Sequence, residues 1–193
     1  MRILLSVILL IICFFAGTAY SDECVEGDCK NGQGTMVYST GQKFSGGFKD
    51  GMRHGKGVFL LPGGRKLVGV WEDNEIREGT YTDSDGTTYT GQWQFRERNG
   101  QGTMTWPDGR KYSGEFKNGQ RHGKGTMVYP DGRIYVGDFS NGERTGSGTM
   151  TYPDGRKYIG EFQDGERSGQ GTLIMPDGKK LVGEFKNGEF VGK

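Results

Sequence analysis

Thiol, metal or acid–base chemistry in this 193-residue chain would have to start from three cysteines, Cys13, Cys24 and Cys29, and two histidines, His54 and His122. Cys13 lies in an apolar N-terminal run behind Ile12, where a lipoprotein signal would carry a small residue, so it is not a lipidation site. Cys24 and Cys29 follow that run closely; in an exported chain such a pair forms a disulfide, and its C-x4-C spacing lacks the C-x-x-C geometry of a redox centre. The loop it closes is short, so the bond contributes on the order of 2 kcal/mol. His54 and His122 sit in identical Arg-His-Gly-Lys-Gly contexts at 53–57 and 121–125. They are equivalent positions in distant copies of one unit and read as exposed loop residues, too far apart to share a metal or act as a pair. No Ser-His-Asp or Cys-His set survives that separation, and no residue pattern calls for a cofactor or an enzyme.

Two further sets recur at regular spacing. Basic residues at Arg65-Lys66, Arg110-Lys111, Arg133, Arg156-Lys157 and Lys179-Lys180 offer contact to anionic headgroups, yet most follow an acid by two residues, at Asp108, Asp131, Asp154 and Asp177. Glu115, Asp138, Glu161 and Glu184 add a second acidic column, so local cancellation into a solvated, ion-paired surface is the expected outcome. The second set is aromatic: Phe48, Trp71, Trp93, Phe116, Phe139, Phe162 and Phe185, with Met36, Met104, Met127 and Met150 near it. Packing is its first use. An aromatic groove with adaptable Met is also where a protein or peptide partner docks, and Trp71 and Trp93, in the two irregular units, mark the preferred contact zone.

What positions these columns is a repeat. The pattern aromatic-x-Gly-x-aromatic, with Leu twice in the first place, begins at Phe44, Leu67, Tyr89, Tyr112, Tyr135, Tyr158 and Leu181, 23 residues apart except for 22 between Leu67 and Tyr89. Six full units run over 44–180, after a partial unit at 22–43 and before another at 181–193. The 37 glycines follow the same beat, all but Gly17, Gly27, Gly47 and Gly63 falling into four columns. Hydrophobic residues make up only 32%, which excludes an ordinary layered domain. Within a unit, Lys111 to Phe116 and Gly123 to Tyr129 alternate with period two, while Lys117-Asn118-Gly119 and Pro130-Asp131-Gly132 turn the chain. The expectation is an all-β, elongated single-layer antiparallel meander, about fourteen or fifteen strands and roughly 70 Å long at ~4.8 Å per strand. Three units then separate His54 from His122 by about 29 Å. Alternation places Tyr112, Gly114, Phe116, Gly123, Gly125, Met127 and Tyr129 on one face, where rings lie flat over bare glycine backbone. In this register Cys24 matches Glu115 and Cys29 matches Gln120, bracketing a hairpin turn.

The N-terminus is distinct. Arg2, the apolar run Ile3 to Phe15 and the small-residue stretch Ala16 to Ser21 read as a signal peptide over 1–21, with an uncleaved membrane anchor as the alternative. Its removal takes away only Arg2, so 24 acids face an equal number of bases, a neutrality that argues against nucleic acid. The expected location is secreted or periplasmic, or anchored and facing outside the cytoplasm.

Tyr112-x-Gly114-x-Phe116-x-x-Gly119-x-x-x-Gly123-x-Gly125, copied as Tyr158-x-Gly160-x-Phe162-x-x-Gly165-x-x-x-Gly169-x-Gly171, resembles the MORN repeat, membrane occupation and recognition nexus. The resemblance covers nearly all of 30–193, departing at Asn74 and Arg96, which replace the turn Gly and suggest locally altered turns. It implies a twisted sheet used as a scaffold or adaptor for protein partners, in some members as a homodimer or in contact with anionic phospholipid, with no catalytic motif of its own. The chain stops within a unit at Phe190-Val191-Gly192-Lys193, leaving an open sheet edge through which a homodimer can form.

Overall fold

Short alternating segments separated by Gly-containing turns can satisfy their backbone groups only by pairing with their neighbours, and the computed structural model, which describes residues 21–192, pairs every one with the next in sequence. Sixteen strands form one open antiparallel sheet in the order of the chain. They are β1 (Glu23–Gly27), β2 (Gln33–Val37), β3 (Lys43–Lys49), β4 (Met52–Leu60), β5 (Lys66–Glu72), β6 (Glu75–Thr82), β7 (Thr88–Gln94) and β8 (Glu97–Thr105), continuing as β9 (Lys111–Lys117), β10 (Gln120–Val128), β11 (Ile134–Ser140), β12 (Glu143–Thr151), β13 (Lys157–Gln163), β14 (Glu166–Ile174), β15 (Lys180–Lys186) and β16 (Glu189–Gly192). Only a three-residue 3-10 turn, Pro62–Gly64, interrupts the meander. The sheet slightly exceeds the expected strand number because both partial units close hairpins of their own, β1–β2 and β15–β16. The signal-peptide reading of 1–21 falls, but for Ser21, outside the described residues.

Two turn types alternate. The Pro-Asp-Gly turns carry Gly at positive φ, as at Gly109 (φ 89°) and Gly132 (φ 84°), and the amide of Trp106 or Tyr129 donates back to the carbonyl of Arg110 or Arg133 at 2.9 Å. The other turns are two residues long with both φ values positive, as at Asn118 (49°) and Gly119 (77°), the twist that a tight hairpin needs. Asn74 and Arg96 do not alter this geometry, contrary to the expectation from their loss of Gly. Asp73-Asn74 (49°, 69°) and Phe95-Arg96 (51°, 63°) adopt the same left-handed pair, because strand register fixes the turn. A left-handed conformation costs a residue with a Cβ about 1–2 kcal/mol, so Phe95 and Arg96 are held there against their preference.

The strict alternation read from sequence fails at one place per unit. Between His122 and Gly125 the β9–β10 register shifts, and Gly123 (φ 54°) is the bulge residue. A Cβ on Gly123 would meet the Glu115 carboxylate at 2.5 Å, so Gly123 faces away from the aromatic side on which sequence alternation placed it. The acid column caps this bulge: Glu115 Oε1 accepts from the Lys124 amide at 3.0 Å, and Gln92 Oε1 from the Gln101 amide at 2.8 Å. His54 and His122 lie in β4 and β10 and are half-buried, not loop residues, because the strands continue through Arg-His-Gly-Lys-Gly by means of this bulge.

The cysteines also sit differently from the register expectation. They form a disulfide with Cα atoms 5.9 Å apart. Cys24 lies on β1 opposite Met36, the place of Tyr112 opposite Met127, and Cys29 lies in the turn that follows. An irregularity between Cys24 and Glu26 and the longer loop to Gln33 displace both from the Glu115 and Gln120 positions. Cys29 Sγ would stand 2.8 Å from a Cβ on Gly34, so the sulfur covers the glycine that a ring covers elsewhere.

Candidate functional site

One unit shows how the aromatic face is made. Tyr112 is fully buried with its ring over Gly125, where a Cβ would come within 2.5 Å of it. Its hydroxyl donates to the Glu115 carbonyl at 2.8 Å, so the buried polar tip is satisfied. The ring meets Phe116 of its own strand at 5.1 Å and Phe139 of the next unit at 4.9 Å, both edge to face. Tyr89, Tyr135 and Tyr158 repeat the hydroxyl bond and the zigzag of rings. Burial pushes the phenols of Tyr89, Tyr112 and Tyr135 up to about 12.

The bulge supplies what sequence alternation did not reveal. By shifting register it sets Arg121 opposite Phe116 on the aromatic face, and likewise Arg53 opposite Phe48 and Arg98 opposite Trp93. The Arg121 guanidinium lies 5.7 Å from the Trp106 ring, 5.9 Å from Tyr112 and 5.8 Å from Phe139. It donates through Nη2 to the Gly142 carbonyl in the next turn, while the Gly142 amide donates to the Arg121 carbonyl at 3.0 Å. Arg144 with Gly165 and Arg167 with Gly188 repeat the clamp, and Arg53 makes it to Asn74 at 2.9 Å. Burial lowers the pKa of Arg53 and Arg121. The signal was present in sequence as an Arg two residues after the turn in most units, but counting by twos across the bulge assigns it to the wrong face.

Under this cover the aromatic column is interior. Phe48, Trp71, Phe116, Phe139, Phe162 and Phe185 are only 1–6% exposed, and Met127 and Met150 are buried with them; Trp93 alone of the seven is half-buried. The basic column pairs as expected: Arg110, Arg133 and Arg156 each hold the Asp two residues earlier at 2.7 Å. Backbone amides two residues on hold the Asp108, Asp131 and Asp154 carboxyls below their usual pKa. The opposite face is open, with Val136, Ile159 and Val182 about half exposed.

Trp93 is uncovered because the units around it depart from the pattern in three places. Leu67 stands where the other full units have an aromatic ring, and Ile76, opposite Trp71, stands where they have the arginine. Phe95-Arg96 replaces Asn-Gly or Asp-Gly, and no amide-to-carbonyl bond joins Arg96 to Ile76 among the described residues; Arg96 Nε instead meets Glu75 Oε1 at 3.2 Å. Buried apolar residues divide here into two clusters, one over Cys29 to Ile76 and one over Tyr89 to Phe185, with Trp93 packed against both. Between them opens a groove of about 670 Å³, its walls including Arg53, Trp71, Ile76, Tyr81, Trp93 and Arg98. Trp93 Nε1 donates to the Gly79 carbonyl at 3.3 Å, but the buried Trp71 Nε1 and Arg53 Nε have no partner. An unsatisfied buried donor costs about 1–3 kcal/mol. Phe95 beside the groove is 82% exposed. Among the described residues no three His, Cys, Asp or Glu side chains cluster as metal ligands.

With this geometry in place, likeness to known proteins can be weighed. The MORN repeat matches residues 30–43, 44–64, 89–109, 112–132, 135–155, 158–180 and 182–193. The chain belongs to the MORN-repeat family. The match passes over 65–88, the MORN unit that holds Leu67 and Ile76. Among solved structures, the MORN sheet is similar to the TCP domain of SAS-4 (dCPAP) of Drosophila melanogaster in complex with a proline rich motif of Ana2 (dSTIL), at 17% identity and TM-score 0.54, covering 85% of this chain and 90% of that one. It is also similar to the G-box domain of the microcephaly protein CPAP, at 14% identity and TM-score 0.52, over 81% and 82% of the two chains. Both show the same fold. Among curated proteins no significant match is found.

Proposed function

We propose that this protein is an exported MORN-repeat scaffold that holds a protein or peptide partner on the aromatic face of its sheet, with the groove at Trp71 and Trp93 as the contact. The observation that carries this reading is the gap in the arginine cover. At Trp71, Phe139, Phe162 and Phe185 the ring is sealed by a guanidinium clamped to the turn beside it, whereas at Ile76 that guanidinium is missing and Trp93 is left half-buried beside an exposed Phe95. A single sheet with a locally opened aromatic surface offers a peptide apolar contact and free donors together. The similar TCP domain is described with a proline rich motif bound, which agrees with peptide docking on such a sheet. The Arg–Asp pairs at Arg110, Arg133 and Arg156 neutralise part of the basic column, which favours protein over membrane as the partner. The MORN resemblance brings no catalytic motif of its own, so the role proposed is binding. Export follows from the signal-like residues 1–21 and agrees with the Cys24–Cys29 bond.

Crosslinking and pulldown from the native compartment tests the reading. Trp93→Ala is expected to lower partner retention at least tenfold in an array that is destabilised but still folded, as circular dichroism would show. A retained partner indifferent to Trp93→Ala, or flotation with anionic vesicles in place of protein capture, contradicts it.

A further inference from the structure

Resting on the scaffold reading, we propose that the groove between β4 and β8 recognises an extended acidic peptide segment: its oxygens accept from Trp71 Nε1 and Arg53 Nε while an apolar side chain lies on Ile76 and Trp93. Trp71 is 4% exposed and lines the groove, yet its indole N–H has no acceptor, and the same holds for Arg53 Nε. The Arg53 guanidinium lies 4.6 Å from the Trp71 ring, so both unsatisfied donors belong to one wall. A ligand that brings acceptors answers both at once.

The charge of the walls points the same way. Arg53, Arg65, Arg96 and Arg98 line the groove against Asp83 and Glu97. Arg96 is tied to Glu75, but Arg53, Arg65 and Arg98 have no carboxylate within ion-pair distance among the described residues. Arginine is the residue suited to fork onto carboxylates. The walls draw on β4 through β8, a width of about 19 Å at ~4.8 Å per strand, which about six extended residues span. At one side stands the Phe95-Arg96 turn. A bulky exposed phenyl at φ 51°, where the neighbouring turns carry Asn or Asp, gains nothing for the fold and supplies the segment with a further apolar surface.

The test uses the purified protein and a short fluorescein-labelled peptide alternating glutamate and leucine, with the lysine and leucine counterpart as the charge control. Fluorescence anisotropy is expected to show binding of the acidic peptide at least tenfold tighter than the basic one. Trp71→Phe, which keeps a ring and removes the N–H, should weaken it about tenfold. Phe95→Asn with Arg96→Gly restores the common turn, and should weaken binding while raising the thermal midpoint, which a merely structural role for those residues would not do. Equal binding of both peptides, indifference to both variants, or binding only to phosphatidylserine vesicles overturns the inference. If a partner is retained in the pulldown and lost with Trp93→Ala while the acidic peptide does not bind, the acidic segment is wrong and the scaffold stands; if neither binds, both fall.

Discussion

Residues 111–186 and residues 53–98 use the same backbone to different ends. In the first stretch each unit repeats four features: a ring over glycine, a bulge glycine, an arginine over the rings and a Gly-containing turn tied to the arginine of the unit before it. In the second the strands pair as well as anywhere and the turn dihedrals are the same, yet Leu67, Ile76 and Phe95-Arg96 remove the ring, the guanidinium and the easy turn. The strand ladder stays paired, and among the described residues only the turn bond from Arg96 to Ile76 is lost. What is omitted is side-chain cover, which leaves Trp93 half-buried and two donors without partners on an intact frame. The regular array is the framework, and the irregular stretch is where we propose that recognition occurs.

The largest test of that division is Tyr135→Ala in the regular array. Tyr135 is fully buried, covers Gly148 and touches Phe139 and Phe162 at 5.2 and 4.8 Å. Its truncation is expected to cost about 3–5 kcal/mol in chemical denaturation without touching the groove; a cost near zero would mean the ladder is not what holds the sheet. Alkaline titration comes next. The Tyr89, Tyr112 and Tyr135 phenols are raised from 10.0 to about 12 by burial, so the folded state keeps protons that the unfolded chain releases. The stability from these groups is complete below pH 10 and is lost as pH climbs from 10 to 12. Tyrosinate absorbance from these three should therefore rise together with unfolding, read as the difference from a variant carrying Phe at all three positions, whereas their ionising at pH 10 in a folded sheet would break the ladder account.

Reduction of Cys24–Cys29 is expected to cost about 2 kcal/mol and to loosen only β1 and β2, since each hairpin touches mainly its neighbours. Hydrogen exchange resolved along the chain would show it; loss of protection reaching β9 would contradict the local coupling. The smallest effect has the opposite sign. Phe95→Asn with Arg96→Gly relieves two left-handed residues and should stabilise by about 1 kcal/mol, measured by thermal unfolding. Destabilisation would show that Phe95 supports the fold.

How much of this the sequence disclosed follows from which physical rule governs each residue. The Pro-Asp-Gly turns, the Gly columns and the period-two segments are local rules, and they yielded the all-β single-layer meander and the MORN resemblance. Alternation fails wherever one residue is inserted into a strand, and Gly123 is such a residue, with Gly55, Gly100, Gly146 and Gly169 as its counterparts. Its inward place in the sequence reading and the overlooked Arg121 column are therefore one error. The turns at Asn74 and Arg96 were misjudged because register, set by flanking strands, overrides the local preference for Gly. For Cys24 and Cys29 the pairing was legible from their spacing and the expectation of export, but the bulged β1 hid their register. Of the candidate groove, Trp71 and Trp93 were legible as marks of the irregular units, while the gap at Ile76 depends on the arginine column that the bulge creates.

The most direct test of recognition in the irregular stretch is photocrosslinking in the native compartment from two equivalent turn positions, Phe95 and Asn141, each replaced by benzoylphenylalanine. The account predicts a discrete adduct from position 95 and none from position 141. Equal adducts from both, or an adduct from 141 alone, would contradict it.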